Sequence, residues 1–270
     1  AERMMDSTVS GNMVAKGAIN IAMWDLLGKI QSVSVSSLLG GCLRQKIDLL
    51  WPMGSQDAEE DLEVITNKKA EGFHTFMLKI GARDSSPEKD ALRIQQLAEK
   101  KEELGDIHLC ADANGGYTLQ QARKFCQLTR DCTNLDFLEQ PLSPTEQPQA
   151  WDSLTSVCSH SLSADESVQS KRDAVAICAG GVFDVLSIKV SKNGGISGAL
   201  AIGKLAGLSG KKVLCNSMLE MGITQAAMMH VAALLPNLVE GGHCFMSTLR
   251  LAENVTNFKT MIRNGILHLP

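Results

Sequence analysis

No stretch of the 270 residues reaches the roughly 18 uninterrupted apolar residues of a membrane-spanning helix, so no membrane partner is expected. Charge of one sign is not concentrated anywhere. The 26 basic and 30 acidic residues are interspersed and sum to −4, which leaves no basic stripe to neutralise a phosphate backbone and excludes nucleic acid as an expected partner. The eight cysteines form no Cys-x-x-Cys pair, and several lie inside apolar runs such as "IHLCAD" and "KKVLCNS". They read as buried free thiols of a reducing compartment. The opening "AERMMDSTVSGN" has no basic segment followed by an apolar one, and the expected localisation is cytoplasmic. Paired glycines recur at 40, 115, 180, 194 and 241, yet GxGxxG does not occur, which weakens any reading as an open dinucleotide-binding sheet.

What is present from residue 47 onward is a rhythm. Short apolar runs, "IDLLW" (47–51), "TFMLK" (75–79), "IHLCAD" (107–112), "LDFLE" (135–139), "SLSAD" (161–165), "VLSIK" (185–189), "KVLCN" (212–216) and "NLVE" (237–240), alternate with amphipathic stretches. Among the latter are 58–70, 89–103, 119–128, 171–179, 196–207 and 223–235. Eight strands separated by helices predict repeated right-handed β-α-β units closing into a TIM-like (β/α)7β barrel of the α/β class. Residues 1–46 lie outside the rhythm. A helix is predicted over 13–30, with apolar residues at 14, 18, 19, 22, 23, 26 and 27, "SSLLGG" closes the segment, and the whole reads as an element packed outside the barrel.

Barrels of this kind carry their chemistry at the carboxyl ends of the strands. Five successive runs end in an ionisable residue: Lys79, Asp112, Glu139, Asp165 and Lys189. One such charge commonly marks nothing more than an exit into solvent, but five in a row point to a site. Asp112, Glu139 and Asp165 come from neighbouring strands, so the three carboxylates converge and repel one another. A divalent cation resolves that conflict, and all-oxygen ligation suits Mg²⁺, or Mn²⁺, over Zn²⁺. Lys79 and Lys189 come from the second and sixth strands and should face each other across the barrel. Near a metal and screened from water, such lysines are expected to have lowered pKa values and to serve as bases.

The motifs "LKIG", "ADAN", "LEQPL", "SADES", "LSIKVSKNGGI" and "NSMLEMGI", in this order, resemble those of the enolase superfamily, within it the mandelate racemase and muconate lactonizing enzyme group. "AINIAMWDLLGKIQSVSVSSLLGG" is similar to that group's helix leading from the capping domain into the barrel. The resemblance implies Asp112, Glu139 and Asp165 as ligands of Mg²⁺ and Lys79 and Lys189 as the acid/base pair. It also places Asn114 toward the metal site and Glu220 near the substrate, although a carboxylate opening a helix reads equally well at 220. The segment after the seventh strand, "CNSMLE", has no histidine, which resembles the muconate lactonizing enzyme subgroup with a lysine on each side. All six histidines are read as structural, His243 with least security. The chain then divides into the end of an α+β capping domain (1–46), the barrel (47–245) and a C-terminal segment returning toward the cap (246–270). It would lack the cap's sheet and the loops that close over substrate. A further departure is Met77, which stands where the group has a second lysine and should leave Lys79 titrating higher than in relatives that have both.

The function this implies is a Mg²⁺-dependent isomerase that takes the α-proton of a small carboxylate substrate through an enediolate. A racemase or epimerase of an amino-acid derivative leads, and a cycloisomerase of the muconate type or a syn-dehydratase such as an o-succinylbenzoate synthase follows. Glu240, the charge ending the eighth run, would either meet a substrate ammonium or be a solvated charge. A Schiff-base aldolase using one of the lysines and a catalytically degenerate scaffold are the readings from other classes. A homo-oligomer is expected from the resemblance.

Overall fold

The structure, a computed structural model, describes residues 2–270. Three helices precede the barrel: α1 (Glu2–Thr8), α2 (Met13–Gln31) and α3 (Val35–Leu38). Strands β1 (Lys46–Asp48) and β2 (Leu50–Met53) follow, then α4 (Ala58–Ala70), β3 (Thr75–Lys79), α5 (Pro87–Glu99), α6 (Lys101–Leu104) and β4 (His108–Asp112). The alternation continues through α7 (Leu119–Leu128), β5 (Leu135–Glu139), α8 (Pro148–Thr155), β6 (Ser161–Ala164), α9 (Lys171–Ala179), β7 (Val185–Ile188), α10 (Gly195–Leu208), β8 (Lys212–Cys215) and α11 (Gly222–Leu234). A short α12 (Ser247–Arg250), a 3₁₀ turn over Phe258–Met261 and strands β9 (Ile262–Arg263) and β10 (Ile266–His268) complete the chain.

Strands β2 to β8 form one parallel sheet in sequence order, as repeated right-handed crossovers require. Both of its faces are buried. Phe76, Leu78, Leu109, Ala111 and Leu138 pack outward under the helices, and Met77 and Cys110 fill the interior. Local signals start α4, α7 and α9 at the expected residues, while the helix expected over 89–103 starts two residues earlier and divides at Lys100 into α5 and α6. Asp57 Oδ1 accepts the N–H groups of Glu59 and Glu60 ahead of α4, Ser86 caps α5 with Pro87 at its first position, and capping boxes Thr118/Gln121 and Ser170/Asp173 open α7 and α9.

Closure of the sheet departs from the expected eight regular strands. The "IDLLW" run is divided: β1 pairs antiparallel with β10, and the barrel strand begins only at Leu50. The eighth strand is broken. The Val239 N–H donates to Val213 O on the β8 side. The chain then passes through Gly241 and Gly242 and rejoins the ring where the Leu50 N–H donates to His243 O and the Cys244 N–H donates to Cys215 O. Gly242 has φ +127°, and a Cβ there would lie 2.9 Å from the Leu49 carbonyl carbon, so a side chain at the closure point would be strained and would force the backbone to shift. On the β2 edge the donor after Leu50 would come from residue 52, a proline, so the closing ladder ends there.

The helix over 13–30 forms, and the face it buries is mostly polar or glycine. Lys16, Gly17, Asn20 and Ile21 face the barrel, while Val14, Ile19, Leu26 and Ile30 remain exposed. Polar docking, with Asn20 Nδ2 and Trp24 Nε1 donating to Ser197 Oγ at 3.0 and 2.8 Å, holds α2 against the start of α10. A Cβ on Gly17 would come within 3.0 to 3.3 Å of the backbone at 190–195, so close approach, not apolar content, chooses the face. All eight cysteines are free thiols, but not all are buried as expected: Cys158 and Cys178 are half-buried and Cys42 is exposed.

Candidate active site

The register of the sheet assembles the site. Lys79 lies beside Asp112, Asp112 beside Glu139, and Glu139 beside Ser163, so the inward-pointing side chains that end β3, β4 and β5 stand at one level. Asp165, two residues beyond Ser163, and Lys189, two beyond Ser187, continue the same inward face past the ends of β6 and β7. Strand order places β5 at the centre of this arc, with a lysine two strands away on either side.

Glu139 is fully buried. It accepts from Ser163 Oγ at 3.1 Å and from Asn216 Nδ2 at 3.0 Å. Burial and then the like charges of Asp112 and Asp165 push its carboxyl well above the usual carboxylate range. Asp112 pairs with Lys79, and its Oδ1 accepts the Asn114 N–H at 2.9 Å. Asp165 is buried between two ammonium groups, Lys189 Nζ on Oδ2 and Lys192 Nζ on Oδ1, each at 2.5 Å. Burial opposes ionisation of Asp165, but Lys192 and Lys189 outweigh it and hold the carboxyl below its ordinary value.

The lysines differ from expectation. Burial disfavours the charge on each. Asp112 on one side and Asp165 on the other, with Glu139 acting on both, more than compensate and hold Lys79 and Lys189 above the ordinary lysine value. The Lys79 side chain is 41 % exposed and that of Lys189 is 11 % exposed, so solvent reaches one side of the site more readily. Met77 is buried in the layer beneath Lys79.

Asn114 is drawn in as expected. In the left-handed region at φ +44°, which asparagine tolerates, it accepts from Lys79 Nζ at 3.0 Å and donates to Glu166 Oε1 at 3.1 Å. Glu220 sits on the β7–β8 side, where its carboxylate accepts from Ser191 Oγ at 2.7 Å and from Ser217 Oγ. Glu240 is not brought to the site. It lines a cavity with Thr75, His108, Asp136 and Lys212, residues at the amino ends of the strands or before them, at the opposite face of the barrel. The cause is the glycine pair: the eighth strand does not end at Glu240 but continues upward through His243 and Cys244.

Three buried groups lie inside the motifs "LEQPL", "LSIKVSKNGGI" and "NSMLEMGI" without a signal of their individual roles. Lys192 follows Lys189 on a turn, Asn216 ends the seventh run, and Gln140 follows Glu139 at φ +38° with Oε1 accepting the N–H groups of Asp165 and Ser167.

Among the described residues, no three His, Cys, Asp or Glu side chains form a ready-made metal cage, because Asp112 and Asp165 each turn toward a lysine. The donor set nonetheless suits a hard divalent cation. It is all oxygen, and Glu139 bears a repulsion from its two neighbours that a cation would relieve.

Residues 61–270 match the family described as enolase C-terminal domain-like, and residues 1–40 match the mandelate racemase / muconate lactonizing enzyme N-terminal domain. Muconate cycloisomerase 1 of Pseudomonas putida is 30% identical over 268 residues, which cover 98% of this chain and 69% of that protein. L-Ala-D/L-Glu epimerase of Clostridium acetobutylicum is 29% identical over 236 residues, 85% of this chain and 62% of that protein. The solved muconate lactonizing enzyme from Pseudomonas putida superposes with a TM-score of 0.91 at 30% identity, across 100% of this chain and 73% of that one.

Proposed function

From the premise that the chain belongs to the mandelate racemase / muconate lactonizing enzyme group of the enolase superfamily and is an isomerase of that superfamily, we propose that it removes the α-proton of a small carboxylate substrate with one of two opposed lysines and returns a proton with the other. The observation that carries this reading is the arc Lys79–Asp112–Glu139–Asp165–Lys189, with an ammonium at each end and a buried carboxylate at its centre. Asp112, Glu139 and Asp165 would hold Mg²⁺ or Mn²⁺. A cation held there would supply stabilisation of the negative charge that builds on the substrate carboxylate as the α-proton leaves.

The chain's own groups set the rest. Lys79 and Lys189 approach from opposite sides, so a proton taken by one and a proton given by the other invert the carbon between them. Paired with Asp112 and Asp165, both are held as ammonium groups, and the one acting as base must first shed its proton. Exchange is therefore expected to rise with pH through neutrality.

The substrate is most consistent with an amino-acid derivative. Beyond the three central carboxylates, Asn114 leads to Glu166, and Ser191 and Ser217 lead to Glu220. This added negative charge favours an ammonium or amide N–H over a second carboxylate. Cycloisomerisation of an unsaturated dicarboxylate is the second reading, favoured by the cycloisomerase among the relatives.

The test is solvent deuterium incorporation at the α-carbon across amino acids, N-acylamino acids, dipeptides and muconate with Mg²⁺. Lys79→Ala and Lys189→Ala should each abolish exchange for one enantiomer only. Loss of both enantiomers in each variant, or trapping of either lysine by borohydride, would defeat the two-base reading. Turnover of muconate alone would select the second.

A further inference from the structure

Lys192 takes no part in the reaction proposed above, yet it is the more deeply buried neighbour of Lys189. Its ammonium donates to Asp165 Oδ1 at 2.5 Å, to the Asp165 carbonyl at 2.6 Å and to the Ser187 carbonyl at 3.1 Å. An ammonium has three donors, so Lys192 is saturated by partners beneath the mouth and is not placed to exchange protons with a substrate. The turn that delivers it is pinned. Asn193 Oδ1 accepts the Lys189 N–H at 2.8 Å, and Asn193 Nδ2 donates to Val168 O at 2.8 Å, on the loop that follows Asp165.

The consequence falls on Asp165. Its N–H donates to Gln140 Oε1 at 3.0 Å, its carbonyl accepts from the Val168 N–H at 3.0 Å as well as from Lys192, and its Oδ1 is tied to Lys192. Oδ2 meets Lys189 at the arc of the site. We propose that Lys192 is a positioning residue that locks the Asp165 carboxylate so that Oδ2 alone is offered to the mouth, making Asp165 a one-oxygen ligand of the divalent cation. The inference rests on the metal reading above.

Electrostatics and positioning predict opposite signs, which makes the idea testable without a substrate. A nearby positive charge repels a cation, so if Lys192 were only a counter-charge, Lys192→Met would bind Mg²⁺ more tightly at a pH high enough to keep Asp165 ionised, which is where the titration is run. If it positions Asp165, the same variant binds Mg²⁺ more weakly, by at least about tenfold, the lower end for groups that orient metal ligands.

The experiment is calorimetric titration of Mg²⁺ into the wild-type chain, Lys192→Met and Lys192→Arg, each with a melting curve to confirm folding. Weakened binding in Lys192→Met with recovery in Lys192→Arg, which keeps a charged donor, supports the proposal. Equal or tighter binding in folded Lys192→Met overturns it, and a wild-type chain that binds no Mg²⁺ defeats the metal reading and this inference together. Should Lys192→Met not fold, amine acylation of the wild-type chain gives an independent answer. Lys192 must stay unreacted with and without Mg²⁺ while exposed lysines such as Lys46 and Lys259 are modified. Reactivity of Lys192 appearing on Mg²⁺ addition would overturn the proposal.

Discussion

His243 sits where the barrel closes. It is buried, its Nδ1 accepts the Cys215 N–H at 3.0 Å, and its own N–H donates to Asp48 O at 2.8 Å. Burial and then the positive charge of Arg44 push the imidazole down from 6.5 to about 3. Between those values the unfolded chain binds a proton that the folded chain refuses, so this residue's stabilisation is complete above 6.5 and is lost as pH falls toward 3. Urea unfolding over a pH series should show His243→Gln losing less stability than the wild type on acidification, the difference approaching about 1.4 kcal/mol per pH unit. Parallel curves would mean that the ring titrates normally. Single residues were legible to different degrees. The five strand-end charges were readable because a lone charge closing an apolar run stands out. Lys192, although inside a quoted motif, had no readable role, because a lysine four residues past a strand resembles any surface lysine until a turn folds it back under Asp165.

Among the elements, the regular helices α4, α7 and α9 begin and end where their caps and periodicity put them, because those signals are local. The eighth strand was misread because its continuity depends on a partner. Nothing within "NLVEGGHCF" says that the chain resumes pairing after two glycines, and Glu240 was therefore assigned to the wrong end of the barrel. Gly242→Ala should expose this dependence. At φ +127° and in contact with the Leu49 backbone, it is expected to cost about 1–3 kcal/mol of strain before the clash is counted. Gly181→Ala, with no neighbour within 4 Å and no positive φ, serves as the control and should be close to neutral. Equal melting temperatures for the two would refute the closure role. The docking face of α2 is not written in its apolar content either: close approach at Gly17 and hydrogen bonds to Ser197 decide which face docks.

For the whole molecule, the repulsion stored among Asp112, Glu139 and Asp165 predicts a linked response. A cation bound only by the folded chain stabilises it by about 2.7 kcal/mol at a hundredfold excess over its dissociation constant. Mg²⁺ should therefore raise the melting temperature of the wild-type chain, EDTA should reverse the rise, and Asp165→Asn should blunt it. An unchanged melting temperature at millimolar Mg²⁺ would count against these three carboxylates as ligands. No described helix is long and apolar enough to cross a membrane, and the chain spans about seven-tenths of the length of the muconate cycloisomerase it matches. The sequence by itself determined the alternation of strand and helix, the helix caps and which charges close the barrel strands, since each is written within a few residues of chain. Only the tertiary structure decided which carboxylate meets which lysine, which end of the barrel Glu240 occupies and what Lys192 holds. Those depend on register, closure and burial, which join residues far apart in sequence and have no local code.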